Sequence, residues 1–497
     1  MKKTKKNKVT LLNISSLLII ILLVIIALNA HEFYSWVEIA SLWIRDIFGP
    51  IYLFFGLFCV GILVVLSISK YGAIKIGGIE KPEYSFASWI AMLYSAGMGS
   101  GILLRAVQEP VFMQQNLEIG GNKSRSIMAM EFTFYQWGFT AWAFYTILAL
   151  IVSFYIFRMN RPVRISSVWT TETKPLKVIH GTDILVLFTT MFGLIAALGL
   201  GVTQINGGLA HLYPNTSWDL STTIYIMIII AGFALWSSWK GLHKGIRLWS
   251  NLNMMVTTAL TLWLLFQSNL GNVVSLFSES LWAYVTDFIP LSLALPPYNP
   301  GEEFLSDWTY YYWAFWIAWA PFIGIFIARI SKGRSIRQMV LGVLIIPSFT
   351  TFIWFSIMGQ NAFSILENPL QSPDQFSNVF TSIFVFFNHF PASDYINIVV
   401  ISLLAGFLIT SLDSSIYVMA MITDEGKYRP SKRHRLVWGI LLACMGMALL
   451  WLGYVREDIN VLIAVQKILI LTSLPLVILI IIMVIRLLKD FISMKSK

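Results

Sequence analysis

The chain has 497 residues, of which 57% are hydrophobic and only 12% charged, about half the charge of an ordinary soluble protein. That composition excludes a soluble globule. Lys and Arg outnumber Asp and Glu by 35 to 25, a surplus that in a water-soluble domain would suggest nucleic acid, but in so apolar a chain the placement of the charges matters more than their sum.

Apolar stretches of roughly 18 to 22 residues recur from Leu11 to Leu487, each long enough to cross a hydrocarbon core about 30 Å thick as a helix. The pattern predicts an all-α polytopic membrane protein with twelve spans, near 10–30, 48–69, 86–108, 126–157, 182–211, 221–239, 250–269, 307–329, 338–359, 394–423, 434–454 and 461–487. The connections alternate in charge: 29 of the 35 basic residues fall on one side, from Lys2 through the loops holding Lys75, Arg161, Lys244, Arg334 and Arg433 to the tail at Lys497. Four (Arg45, Lys123, Arg125, Arg456) fall opposite, and two (Arg105, Lys467) lie within spans. A wrong span count would put these bands out of phase, so both termini are expected in the cytoplasm. A cleaved secretory leader ending near Ala30 is the competing reading of residues 1–30, but its apolar run is longer than a usual leader's and cleavage would leave an odd span count.

The remaining function classes narrow quickly. The two cysteines, Cys59 and Cys444, fall inside apolar stretches and support neither a disulfide framework nor a thiolate metal site. The six histidines show no ligand spacing, and no Gly-rich loop ends in Lys-Ser or Lys-Thr as a phosphate-gripping loop would. Asp413, Glu131 and Lys467 are isolated within or beside spans, so no catalytic constellation is expected, and the connections are too short for a sensor's output domain. The connections 270–306 and 360–393 lack Lys and Arg but carry short apolar stretches, expected to form surface helices or gates outside the cell.

Membrane rules are broken in four places. Span 3 reads SWIAMLYSAGMGSGILLRAVQEP, with Gly97, Gly99 and Gly101 on alternate positions, and span 8 reads DWTYYYWAFWIAWAPFIGIFIARI, with Pro321 and Gly324 inside it. Gly and Pro weaken a helix and free backbone carbonyls, as in the interrupted helices of transporters, although small residues also serve close helix packing. Span 8 also places Tyr312, Trp313, Phe315, Trp316 and Trp319 within eight residues, and span 4 adds Trp137, Trp142 and Tyr145, within about 140° of one another on a continuous helix. Tryptophan belts sit at span ends, whereas Trp316 and Trp142 are near span centres. Aromatic cages attract a quaternary ammonium without charging the membrane interior, so the pattern points to a trimethylammonium-like ligand, with plain core packing as the alternative. Span 10 reads AGFLITSLDSSIYVMAMIT, and its hydroxyls at Thr410, Ser411, Ser414 and Ser415 suit a small alkali cation, or bond their own helix. Finally, Arg105 stands within span 3, where a charge is costly and marks a functional candidate. A salt bridge with Glu109 or Glu131 would make it structural; a grip on a carboxylate or sulfonate would make it a substrate ligand.

At GMGSG, at YYWAFWIAWAPFIGIFIARISKGRSIRQ and at TSLDSS the chain resembles the betaine/carnitine/choline transporter family, with further support from QWGFTAWAFY, DILVLFTTMFGLIAALGLGVTQINGGL and KGLHKGIRLWSNLN. The resemblance spans nearly the whole chain. It implies one transmembrane domain: a cytoplasmic tail at 1–9, two peripheral spans in 10–85, a first repeat at 86–269, an extracellular connection at 270–306, an inverted second repeat at 307–487 and a cytoplasmic tail at 488–497. Spans 3 and 8 would be broken, and homotrimers are frequent in the family. No cofactor is implied, only lipid, a small-molecule substrate and sodium as the coupling ion. The family's aromatic box would comprise Trp137, Trp142, Tyr145 and Trp316, with Trp319 and Phe315 beside it and a glycine segment containing Met98, Gly99, Ser100 and Gly101. A sodium site would use the carbonyls of Ser95, Met98 and Phe407 and the hydroxyls of Thr410 and Ser411.

The sequence departs from the family pattern in four places. Ser100 replaces an apolar residue, Phe315 replaces Trp, and Leu194 stands four after Thr190 where a second sodium site has its later threonine. Arg105 replaces a bulky aromatic, and in some family exchangers a basic side chain substitutes for sodium. The expected function is sodium-coupled uptake of a glycine betaine-like osmolyte, choline or carnitine by alternating access; a sodium-independent exchanger using Arg105 is the alternative. The short tails lack the long charged extensions of osmosensing members, so direct osmotic activation is not expected.

Overall fold

A computed structural model describes residues 10–79, 81–97, 99–117, 119, 121–169, 176–240, 245–455 and 461–493. It is helical throughout, and among the described residues no strand forms beyond one isolated bridge between Lys75 and Ser335. The first helix, α1 (Leu11–Ile68), would be about 87 Å long if straight, far more than a bilayer's thickness, and it breaks at Asn29 (φ −140°, ψ 47°). Residues 31–47, read as a connection from sequence, are helical because no Gly or Pro interrupts them before Gly49 and Pro50.

Span 3 is broken as its glycines predict, into α2 (Phe86–Gly97), α3 (Gly101–Arg105) and α4 (Gln108–Asn116). Span 4 stays one span, Arg125–Arg158, as expected, with a local interruption at Gly138 (φ −97°, ψ −136°) between α5 (Arg125–Trp137) and α6 (Phe139–Val152). Gly138 separates them: a Cβ there would lie 2.5 Å from the Phe134 carbonyl oxygen and 2.6 Å from the Phe352 ring. Then follow α7 (Leu176–Leu212), α8 (Leu220–Lys240), α9 (Gly245–Gln267), α10 (Leu270–Thr286), α11 (Phe288–Ser292) and α12 (Glu302–Phe304). The chain bends by 113° between α9 and α10. The second half contains α13 (Tyr310–Ile330), α14 (Ile336–Leu366), α15 (Ser382–Phe387), α16 (Ser393–Thr423), α17 (Lys432–Leu452) and α18 (Val461–Ser493). Nine helices among the described residues are long and apolar enough to cross a membrane, ten if the bent pair counts as one more.

The expected break in span 8 is absent: α13 is continuous through Pro321. Proline costs one backbone hydrogen bond, and a helix buried among neighbours tolerates that loss. Gly324 has a packing reason, because a Cβ there would stand 2.9 Å from the Leu148 Cβ on α6. The α13–α14 turn needs Gly333 at φ +80°, where a Cβ would meet the Lys81 carbonyl oxygen at 2.1 Å. Ser335 then starts α14 with a reciprocal cap, accepting from Gln338 N at 3.2 Å while its own N–H reaches Gln338 Oε1 at 3.0 Å. Helix α13 runs through the centre of the bundle, packed against α6, α7 and α18, and α16 packs on α7 and α8.

Candidate functional site

The broken α2–α4 segment, α5, α6, α7, α13 and α16 enclose a cavity of about 70 Å³. Its wall holds Gly99, Ser100, Gly101 and Arg105; Trp137 and Tyr145; Leu194, Ala197 and Leu198; Tyr311, Tyr312, Phe315, Trp316 and Trp319; and Leu408, Ser411 and Leu412. The aromatic rings meet mostly edge to face. Trp137 and Trp316 lie 5.4 Å apart at 89°, Tyr145 and Trp316 5.4 Å apart at 67°, and Trp137 and Tyr312 5.9 Å apart at 75°. Phe315 stacks on Trp319 at 6.1 Å.

The indole N–H groups are fixed by the protein. Trp316 Nε1 donates to the Gln136 carbonyl (3.1 Å), Trp319 Nε1 to the Gly193 carbonyl (2.9 Å) and Trp137 Nε1 to Glu109 Oε1 (3.1 Å). With their polar atoms engaged, these residues have ring surface left for a ligand. Trp142 is placed differently. It is buried behind the wall, edge to face with Tyr145 at 5.7 Å.

Candidate cation ligands sit at one side of the cavity. Ser411 is on the wall, and Thr410 Oγ1 donates to the carbonyls of Gly406 (2.9 Å) and Phe407 (3.1 Å). Thr410 thus bonds its own helix, the alternative that the sequence left open for these hydroxyls, with the Phe407 carbonyl within one turn of it. Ser95 is in the last turn of α2, and Met98 lies outside the described residues. Thr190 is buried with no hydrogen-bond partner among the described residues, while Leu194 presents hydrocarbon to the cavity.

Arg105 is 5% exposed and borders two spaces, the cavity and a larger one of about 580 Å³ that is also lined by Gln108, Asp307, Trp308, Ser377, Asn378 and Gln466. Its Nη1 donates to Gln108 Oε1 at 2.8 Å, and its guanidinium lies 4.8 Å from the Trp308 ring centre and 5.9 Å from that of Tyr312. Neither salt bridge considered from sequence forms. Glu131 pairs with Lys123 at 2.7 Å, and Lys123 also bonds Asp287. Glu109 accepts from Trp137 and from the Tyr312 hydroxyl. Gln108, Glu109 and Tyr311 were missed as site residues by sequence reasoning. Glu109 alone carried a signal, a carboxylate one turn from an intramembrane arginine.

The sequence model of the "BCCT, betaine/carnitine/choline family transporter" matches residues 10–496. Curated relatives include the glycine betaine transporter OpuD of Bacillus subtilis, 36% identical and covering 90% of this chain and 87% of that one. The ectoine/hydroxyectoine transporter of Virgibacillus pantothenticus is 34% identical, covering 90% and 91%. The high-affinity choline transport protein of Escherichia coli is 30% identical, covering 84% of this chain and 63% of that one. With a family match over nearly its whole length, an all-helical membrane fold and relatives that are transporters, not enzymes, this chain belongs to the betaine/carnitine/choline transporter family.

Proposed function

We propose that the chain imports a small quaternary ammonium or zwitterionic solute, glycine betaine-like compounds first, across a bacterial cell membrane by sodium-coupled alternating access. The observation that carries this reading is one cavity walled by Trp137, Tyr145, Trp316, Trp319 and Phe315 with the single guanidinium of Arg105 at its edge. The rings suit a trimethylammonium head, and the guanidinium suits a carboxylate tail. Relatives that transport glycine betaine, ectoine and choline favour the same substrate class. Sodium would be bound by Phe407, Thr410 and Ser411 on α16, with the carbonyls of Ser95 and Met98 opposite.

In this reading α1 crosses twice about its break at Asn29, and the α2–α4 segment and the bent α9 complete twelve spans with both termini cytoplasmic. Residues 86–269 and 307–487 are the two inverted repeats, and α2–α6 with α13–α14 rock against the rest. The assembled form is a homotrimer. Uptake of labelled glycine betaine, choline, carnitine, proline and taurine into proteoliposomes, with and without an inward sodium gradient, tests it. Sodium-dependent accumulation of a quaternary ammonium solute is expected. Transport only into vesicles preloaded with a counter-substrate would replace the symporter with an exchanger, and transport of none of the panel would refute the reading.

A further inference from the structure

We propose that Glu109 is a positioning residue of the cavity, one that orients Trp137 and Tyr312 and places negative charge behind the rings that receive the substrate's cationic head; this rests on the quaternary ammonium reading above. Glu109 is completely buried and is not on the cavity wall. Each of its carboxylate oxygens accepts a hydrogen bond from a different wall residue, Oε1 from Trp137 Nε1 and Oε2 from the Tyr312 hydroxyl. It therefore ties α4 to α5 and to α13 at the point where the two rings meet at 5.9 Å. Both oxygens accept and neither donates, the hydrogen-bond pattern of an ionised carboxylate, whose burial carries a desolvation cost. Arg105, one turn earlier, offsets part of that cost but spends an Nη1 proton on Gln108.

An indole N–H or a phenol O–H bonded to a carboxylate pushes electron density into its ring and deepens the negative potential on the ring face. A quaternary ammonium in the cavity then feels an anion it cannot touch. The arrangement attracts the head without a contact ion pair that would slow its release, and it acts on the charge of the head, not on its shape.

The experiment is titration calorimetry on the purified full-length protein with glycine betaine and with 3,3-dimethylbutanoate, which has the same shape and carboxylate but an uncharged head. In Glu109→Gln the Kd for glycine betaine is expected to rise about tenfold while that for 3,3-dimethylbutanoate stays within about twofold. Equal losses for both probes, or no loss for either, would overturn the proposal. Tyr312→Phe keeps the ring and removes one donor. It should show a smaller loss confined to glycine betaine, and it decides the matter if Glu109→Gln does not fold. A wild-type protein that binds neither probe would refute the substrate reading itself, a result distinct from wild-type binding that Glu109→Gln leaves unchanged.

Discussion

Replacing Arg105 by methionine removes the guanidinium and keeps most of the side-chain volume, and it should change which substrate the protein prefers. The side chain is 5% exposed, with its guanidinium carbon 4.8 Å from the Trp308 ring centre and Nη1 bonded to Gln108. Little rotamer freedom remains to be lost when an anion arrives, and the five N–H protons of a guanidinium exceed what bonds to Gln108 and to the Tyr311 hydroxyl use. A charge-assisted hydrogen bond in a buried site is worth about 1.5–3 kcal/mol, and taking ~2 kcal/mol gives roughly a 30-fold weaker affinity for glycine betaine. Choline has no carboxylate and should lose about twofold or less. The assay is competition of unlabelled glycine betaine and choline against one labelled substrate in the same proteoliposomes, so that expression and folding cancel in the ratio. Arg105→Lys keeps the charge but not the fork and should fall between the two. A betaine-to-choline preference within about threefold of wild type in Arg105→Met would show that Arg105 does not read the anion.

Trp316→Ala should weaken binding of a trimethylammonium substrate by at least about tenfold, whereas Trp142→Phe, behind the wall, should change it by about threefold or less in the same titration. Thr410→Ala and Ser411→Ala should raise the sodium concentration needed for half-maximal uptake by about tenfold, and Thr190→Ala should leave it unchanged if the site near Leu194 is not used. Gly324→Val drives a side chain into Leu148 and should cost about 1–3 kcal/mol, seen as a lower Tm in detergent. In the connection after α16, burial alone would raise the Asp424 carboxyl, but bonds from Lys427 Nζ (2.7 Å) and Ser431 N (2.8 Å) bring it below the ordinary carboxylate range. A depressed folded pKa means that the stabilisation is complete above the unfolded value near pH 4 and lost as pH falls through the folded value. The wild-type Tm should therefore exceed that of Asp424→Asn at pH 7 and converge with it below about pH 4.

Hydropathy and charge alternation made the long helices legible, because a bilayer leaves the backbone few choices. The local breaks were harder to read. Three glycines on alternate positions announced the interruption of span 3, but nothing around Gly138 in the sequence sets it apart from a packing glycine, and its non-helical backbone (φ −97°, ψ −136°) is a property of the fold. Pro321 gave the opposite error, since proline signals a break only where neighbours do not hold the helix together. Both local facts bear on the cavity. Trp137 and Tyr145 reach the wall from either side of Gly138 while Trp142 does not; with α13 unbroken, Tyr312, Trp316 and Trp319 keep a helical phase and line one wall.

The rule that an ionisable residue in or beside a span is a functional candidate flags Arg105, Glu109, Glu131, Asp183 and Asp413 alike, with Lys467 among others, and geometry separates them. Asp183 accepts from the backbone and side chain of Ser166, with Arg164 at 3.8 Å. Asp413 accepts from Ser237. Glu131 shares Lys123 with Asp287, which fastens α5 to the end of α10. None of these three is on the cavity wall. Arg105 and Glu109 differ because each touches aromatic residues that are on it or next to it, one through the Trp308 and Tyr312 faces and the other through Trp137 and Tyr312. Tyr312 meets both charges, the arginine through its ring and the glutamate through its hydroxyl. A dipolar solute entering the cavity would thus find a cation at one edge and an anion behind the rings, both held by the same tyrosine. Sequence spacing puts Arg105 and Glu109 one turn apart, but only packing of α4 and α5 on α13 gives that pair a direction relative to the substrate.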